Sequence, residues 1–226
     1  MPQEIKRTYN YSDGTLKQKC DLLVLNLMRD AAEFAARGET PATVTNFQNL
    51  IDDFDAFATD EELEGIEINQ TKIKDGFATT LRVNIRTIRG IAQAVYETTG
   101  LYNSFGFTEM DGLDDAHLHR LAKRVVRVST TLLGDMKPKG LTQVMIDDVQ
   151  NTDTSFDKAL DNQKAAEETR DIATQQRAIL GNNLFAEYSR LMNTGKTIFE
   201  DNDEAKYNDY VMNDNTPAPP PPPPAP

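Results

Sequence analysis

The sequence predicts an all-α protein: an antiparallel helical bundle, built as two related three-helix units and followed by a polyproline tail. Three observations predict it. Apolar residues recur at three- and four-residue steps along almost the whole chain, and no segment alternates with period two. The helix order short, medium, long occurs twice. Residues Pro217 to Pro226 are only proline and alanine, which excludes helix and sheet there.

Leu16, Cys20, Leu23, Leu27, Ala31 and Phe34 form one stripe, predicting a helix from about residue 15 to 36 with Asp13 as its cap and Gly38 closing it. Pro41 restarts the chain as a helix, at the first turn where its missing N–H does no harm. Val44, Phe47, Ile51 and Phe54 are its stripe, and it ends in the acidic run from Thr59 to Gly65. A long helix follows from about Ile66 to Thr99, with Ile73, Phe77, Leu81, Ile85 and Ile88 on one face. Gly76 and Gly90 inside it weaken a helix by about 1 kcal/mol each, so close helix–helix contact is expected at both.

The glycine-containing stretch from Gly100 to Gly112 reads as the domain boundary. Asp114 then caps a helix carrying Leu118, Leu121, Val125 and Val128, which Gly134 and Pro138 stop. Leu141, Met145, Val149 and Phe156 predict the next helix, distorted around Asn151 to Thr154, and Ile172, Leu180, Leu184, Tyr188 and Leu191 the last long one. The expected organisation is an extension 1–12, a helical unit 13–100, a connector 101–113, a second unit 114–200 and a tail 201–226.

The halves also match residue by residue at an offset of about 95. Leu50-Ile51-Asp52-Asp53-Phe54 answers Met145-Ile146-Asp147-Asp148-Val149, and Ala78-Thr79 with Arg82 answers Ala173-Thr174 with Arg177. Duplication is the expected origin. The two units either stack or merge into one six-helix bundle.

Composition removes several function classes. The 226 residues carry 24 Lys+Arg against 36 Asp+Glu, a net charge of −12, which repels a phosphate backbone or an anionic membrane. The longest apolar run, Leu22 to Leu25, is far short of a membrane span, so no membrane insertion is expected. No apolar stretch follows Lys6-Arg7, so no secretory signal and a cytoplasmic location are expected. A single cysteine excludes an intramolecular disulfide, and Cys20, on an apolar stripe, reads as an inert buried thiol.

No constellation reads as a catalytic, cofactor or metal site. Gly195-Lys196-Thr197 resembles the end of a phosphate-binding loop, but Arg190 stands where the loop needs glycine, so a helix ending on Gly195 is expected. His117 and His119 point about 200° apart on a helix and do not share a metal there. The aspartates lack the Glu-x-x-His pairs of di-iron bundles.

The charge pattern carries more. Arg82, Arg86 and Arg89 share one helical face, as do Arg120, Arg124 and Arg127. Asp52, Asp53, Asp55, Asp60, Glu61, Glu62 and Glu64 lie in a stretch without a single base. The expectation is charge pairing between helices or subunits, with an anion or small-ligand site between the arginine stripes as the alternative. The tail prolines Pro219, Pro220, Pro221, Pro222, Pro223 and Pro224 are either a solubilising spacer or a ligand for an aromatic groove.

Gly195-Lys196-Thr197-Ile198-Phe199 followed by Ala205-Lys206-Tyr207-Asn208-Asp209-Tyr210-Val211 resembles the C-terminal ending of a group of uncharacterised bacterial helical proteins with a duplicated helical unit and a Pro/Ala-rich end. The resemblance covers the last third of the chain. It implies a bacterial helical bundle and carries no activity. The functional expectation is a non-enzymatic structural or scaffolding protein that binds a protein partner or itself as a homo-oligomer, without nucleic acid and without cofactors. An adaptor baited by the proline tail is the second expectation.

Overall fold

The structure, a computed structural model, describes residues 5–107 and 110–212. Among them every regular element is a helix. Helix α1 (Asp13–Arg29) starts at Ser12, whose hydroxyl accepts from the Thr15 N–H at 3.2 Å. Ser12 is therefore the cap in place of Asp13, whose carboxylate is drawn away by Arg177 and Tyr9. The predicted single helix 15–36 is broken at Asp30, after which α2 (Ala31–Ala35) ends before Gly38, where φ is +87°. Helix α3 (Pro41–Asp55) carries Pro41 in its first turn behind a Thr40/Thr43 capping box.

Helix α4 (Asp60–Tyr96) begins in the acidic run, which opens this helix instead of closing the preceding one. Thr59 and Glu62 form a capping box, and the first-turn carboxylates of Asp60, Glu61 and Glu62 complement the positive end of the helix dipole. A short α5 (Gly100–Ser104) and a 3₁₀ turn (Met110–Gly112) lead to α6 (Asp115–Thr131), where Asp114 accepts from the His117 N–H at 2.8 Å as predicted. Helix α7 (Leu133–Met136) and a 3₁₀ turn (Lys137–Lys139) end on Gly140, at φ +102°. The two helices predicted beyond it are one: α8 (Gln143–Phe199) runs 57 residues without interruption at Asn151–Thr154. Helix α9 (Glu204–Asp209), capped by Asp203, completes the described chain.

The chain forms two compact units, and they are not the consecutive halves expected. One comprises the described residues up to Phe57 together with those from Ala173 onwards; the other is Ala58–Ile172. In the first, Leu16, Cys20 and Leu23 of α1 and Phe47 and Ile51 of α3 share a core with Leu184 and Leu191 of α8. In the second, Leu81 and Ile88 of α4 pack with Leu118 and Val125 of α6 and with Val149 and Phe156 of α8. Each unit thus combines the first helices of one half with the long third helix of the other. Apolar complementarity decides the partner, and adjacency in sequence does not.

The expected connector 101–113 is core instead of boundary. Phe105, Phe107 and Met110 are buried in the second unit, and Phe105 stacks on Phe107 with ring centroids 5.0 Å apart. Gly76 and Gly90, expected at close helix contacts, have open space where a Cβ would stand. The helix-interior glycines in close contact are Gly181, under the Tyr9 ring, and Gly195, under the Tyr210 ring. Gly195 therefore does not end a helix; it sits inside α8 and makes room for an aromatic side chain.

Candidate functional site

Helix α1 is amphipathic in an unusual way. Leu16, Cys20, Leu23 and Leu27 are buried, yet Leu22, Leu25 and Met28 are 59, 63 and 55 % exposed. Spaced at three residues, these three form a second apolar stripe facing solvent. Met28 also borders a cleft of about 420 Å³ between α1, α2, α3 and α8, floored by Leu27, Phe34 and Leu191 and rimmed by Pro41 and Val44. At the other end of the stripe, Leu22 borders a smaller cleft of about 280 Å³ with Val211 and Met192.

Helix α6 is the natural comparison. Both helices have 17 residues behind an oxygen cap, Ser12 or Asp114. Counted from the caps, the buried Leu16, Cys20, Leu23 and Leu27 correspond to the buried Leu118, Ala122, Val125 and Ser129. The exposed Leu22, Leu25 and Met28 correspond to Arg124, Arg127 and Thr130, all exposed. The same helical design thus has a solvated outer face in one unit and an apolar one in the other.

Beside this face lies a buried ionic knot. Asp30, fully buried at the break between α1 and α2, accepts from Arg29 Nε at 3.0 Å, from Lys206 Nζ at 2.8 Å and from the Tyr210 hydroxyl at 2.8 Å. Burial pushes its pKa up, but the hydrogen bonds from Arg29, Lys206 and Tyr210 outweigh burial and hold the carboxyl down at about 2. Arg29 also reaches Asp209 at 2.8 Å, and Lys206 reaches Glu33 at 3.1 Å. The Tyr210 ring stacks on Phe199 and tilts against Phe34. This knot fixes the C-terminal helix α9 against α1 and α2.

A second tie uses Arg177 of α8, which donates to Asp13 Oδ2 at 2.6 Å and to the Phe57 carbonyl at 2.9 Å, over the Phe54 ring. In the other unit, His119 Nδ1 lies 2.8 Å from the buried Asp153, whose carboxyl is raised chiefly by burial against the opposing pull of His119 and Lys123. The buried charges of Asp30, Arg177 and Asp153 are each engaged in joining helices.

The residues singled out by sequence fall as follows. Arg82 donates to the Leu113 carbonyl at 2.9 Å, and Arg124 packs against Gly106, so both tie down the aromatic connector. Arg86, Arg120 and Arg127 are exposed and Arg89 is half-buried. Asp52, Asp53, Asp55, Asp60, Glu61, Glu62 and Glu64 are exposed; Asp55 comes within 4.0 Å of Lys17 and Glu62 serves as a cap. Ion pairs the sequence reading did not single out include Arg29–Asp30, Arg177–Asp13, Arg170–Glu67 and Arg190–Glu39. Cys20 is buried, and burial, with Asp21 nearby, pushes its thiol up to about 12. His117 bonds its own cap, Asp114, at 2.8 Å. The prolines 219–224 lie outside the described residues.

Among the described residues no helix is long and apolar enough to cross a membrane. No family model matches the chain, and no curated protein or solved structure does either.

The α1 face was missed because Leu22, Leu25 and Met28 were absorbed into a helix already explained by its buried stripe. The signal was present in the Leu22-Leu23-Val24-Leu25 run, which places apolar side chains on both sides of one helix.

Proposed function

We propose that this protein is a non-enzymatic structural or assembly component that works by associating with itself through a helical face. The observation that carries the reading is the exposed Leu22–Leu25–Met28 stripe, in a helix whose counterpart α6 carries arginine and threonine at the same positions. An apolar stripe left in water costs roughly 25 cal/mol per Å² relative to burial, and an interface recovers that cost. The engagement of Asp30, Arg177 and Asp153 in ties between helices supports a rigid building block, with the titratable core groups committed to structure. The matched caps, the matched buried positions of α1 and α6, and Gly38 answering Gly140 fall at one offset of 102 positions instead of the 95 read from the sequence, and support duplication of the α1 and α6 segments.

The test is light scattering of the full chain over a concentration series at low and high salt. The reading expects a reversible oligomer that persists at high salt, because apolar association is not screened. An oligomer dissolved by salt would return the role to the exposed charges, and a monomer at every concentration would refute self-association.

A further inference from the structure

We infer that the outer face of α6, through Arg120, Lys123 and Arg127 with Arg124 beside them, binds an acidic segment of a partner protein. This surface belongs to the second unit, whereas the apolar stripe of α1 belongs to the first, and it does not depend on the self-association reading.

At 3.6 residues per turn, Arg120, Lys123 and Arg127 fall within about 60° of one another around the helix, with Arg124 about 40° beyond Arg120. All four are exposed. Ala116, Thr130 and Thr131 complete this face, so no carboxylate of the helix shares it. The one acid within α6, Asp115, is held by Lys74 at 2.8 Å, and the cap Asp114 is held by His117. Among the described residues no carboxylate forms an ion pair with Arg120, Arg124 or Arg127. Lys123 acts on Asp153 through space, easing the burial of that carboxylate. Cations elsewhere are engaged more closely: Arg29, Lys74, Arg170 and Arg177 each hold a carboxylate at 2.8 Å or less.

The cluster works against the helix that carries it. Arg120 with Arg124, and Lys123 with Arg127, are like charges at i,i+4, a spacing at which repulsion weakens a helix. The same places in α1 are Gln18, Asp21, Leu22 and Leu25, so the shared helical design does not require cations there. An anion arriving from outside relieves the repulsion that folding leaves in place. Arg120 to Arg127 spans about 10 Å, close to one Debye length at about 0.1 M salt. A short acidic segment therefore meets the strip with the remaining negative surface largely screened. A nucleic acid carries its phosphates beyond the strip onto that surface, and this face offers no aromatic side chain on which a base could stack. Guanidinium forks accept carboxylates in bidentate pairs, which suits aspartate and glutamate side chains.

The experiment follows the fluorescence anisotropy of a labelled hexaglutamate peptide titrated with the full chain across a salt series. Wild-type protein is expected to bind at low salt and to release the peptide as salt rises. Arg120→Glu combined with Arg127→Glu is expected to weaken binding about tenfold. That variant should melt no lower than wild type, because each reversal replaces a like-charge pair at i,i+4 with an opposite one. Lys158→Glu combined with Lys164→Glu, both exposed on α8, changes the net charge equally and is expected to shift binding less than about twofold. A loss in the α8 variant as large as in the α6 variant overturns the site, because the charge of the whole molecule then suffices. Wild-type affinity in the α6 variant overturns it, as does wild-type protein that fails to bind the peptide at low salt. Tighter binding of single-stranded hexathymidylate, lost in the α6 variant, assigns the surface to phosphates and overturns the acidic-protein reading.

Discussion

The Tyr210 hydroxyl donates to the Asp30 carboxylate at 2.8 Å, across 180 positions of sequence. Tyr210→Phe keeps the ring on Phe199 and removes only that bond. A hydrogen bond to a charged group contributes about 1.5–3 kcal/mol, so the variant should lose that much in urea unfolding. Asp30→Ala, which removes the acceptor shared by Arg29, Lys206 and Tyr210, should cost more than Tyr210→Phe. Losses under about 0.5 kcal/mol in both would show that the knot does not hold α9.

Glycine substitutions inside helices should change sign with their surroundings. Gly76→Ala and Gly90→Ala meet nothing within 4 Å and should stabilise by roughly 0.5–1 kcal/mol through helix propensity. Gly195→Ala should destabilise despite the same propensity gain, because its methyl overlaps the Tyr210 ring. Thermal melts of the three variants read the contrast directly.

Stability should fall at both ends of the pH scale for separate reasons. Asp30 is held at about 2 against an ordinary 3.8, so its contribution is complete above pH 4 and is lost as pH falls from about 4 towards 2. Tyr9 is pushed up to about 12 from 10.0, first by burial and then by the Asp13 carboxylate. Its neutral form is the one the fold accepts, so its contribution is complete below pH 10 and is lost as pH rises from 10 towards 12. Melting temperature against pH should show a shallower acid limb in Asp30→Asn and a shallower alkaline limb in Tyr9→Phe. Unchanged limbs would assign the titration to other groups.

Arginines should divide by burial. Arg177→Ala removes a buried guanidinium from Asp13 and the Phe57 carbonyl and should cost about 3 kcal/mol or more. Arg127→Ala, on the exposed face of α6, should stay within about 0.5 kcal/mol. Equal losses in chemical denaturation would contradict the assignment.

Much of the secondary structure was legible because its signals are local. The stripe Leu16, Cys20, Leu23, Leu27 and Phe34 is buried as predicted, Pro41 opens its helix, and Asp114 caps its own. The break at Asp30 was not legible, since an aspartate at a helix interior position acquires meaning only from Lys206 and Tyr210, far along the chain. The unit boundaries were not legible either. Which long helix completes which pair is settled by tertiary packing: α4 shares a core with α6, and the later part of α8 with α1 and α3. The arginine stripes drew attention by spacing, yet it is the buried Arg177, isolated in sequence, that pairs with Asp13. The exposed face of α1 needed accessibility to be seen at all.

The assignment of the first helices and the last residues to one unit governs the order in which a nascent chain becomes complete. Residues up to Phe57 leave the ribosome first, but their core lacks Leu184, Leu191 and Tyr210. At about 5–20 residues per second, translation of the intervening stretch, Ala58–Ile172, takes roughly 6–23 s. By the end of that interval the second unit has its whole sequence available, while the first still lacks its α8 residues. The N-terminal helices therefore wait with their apolar side chains uncovered, a window in which a chaperone has its substrate and a neighbouring nascent chain has its opportunity for mispairing.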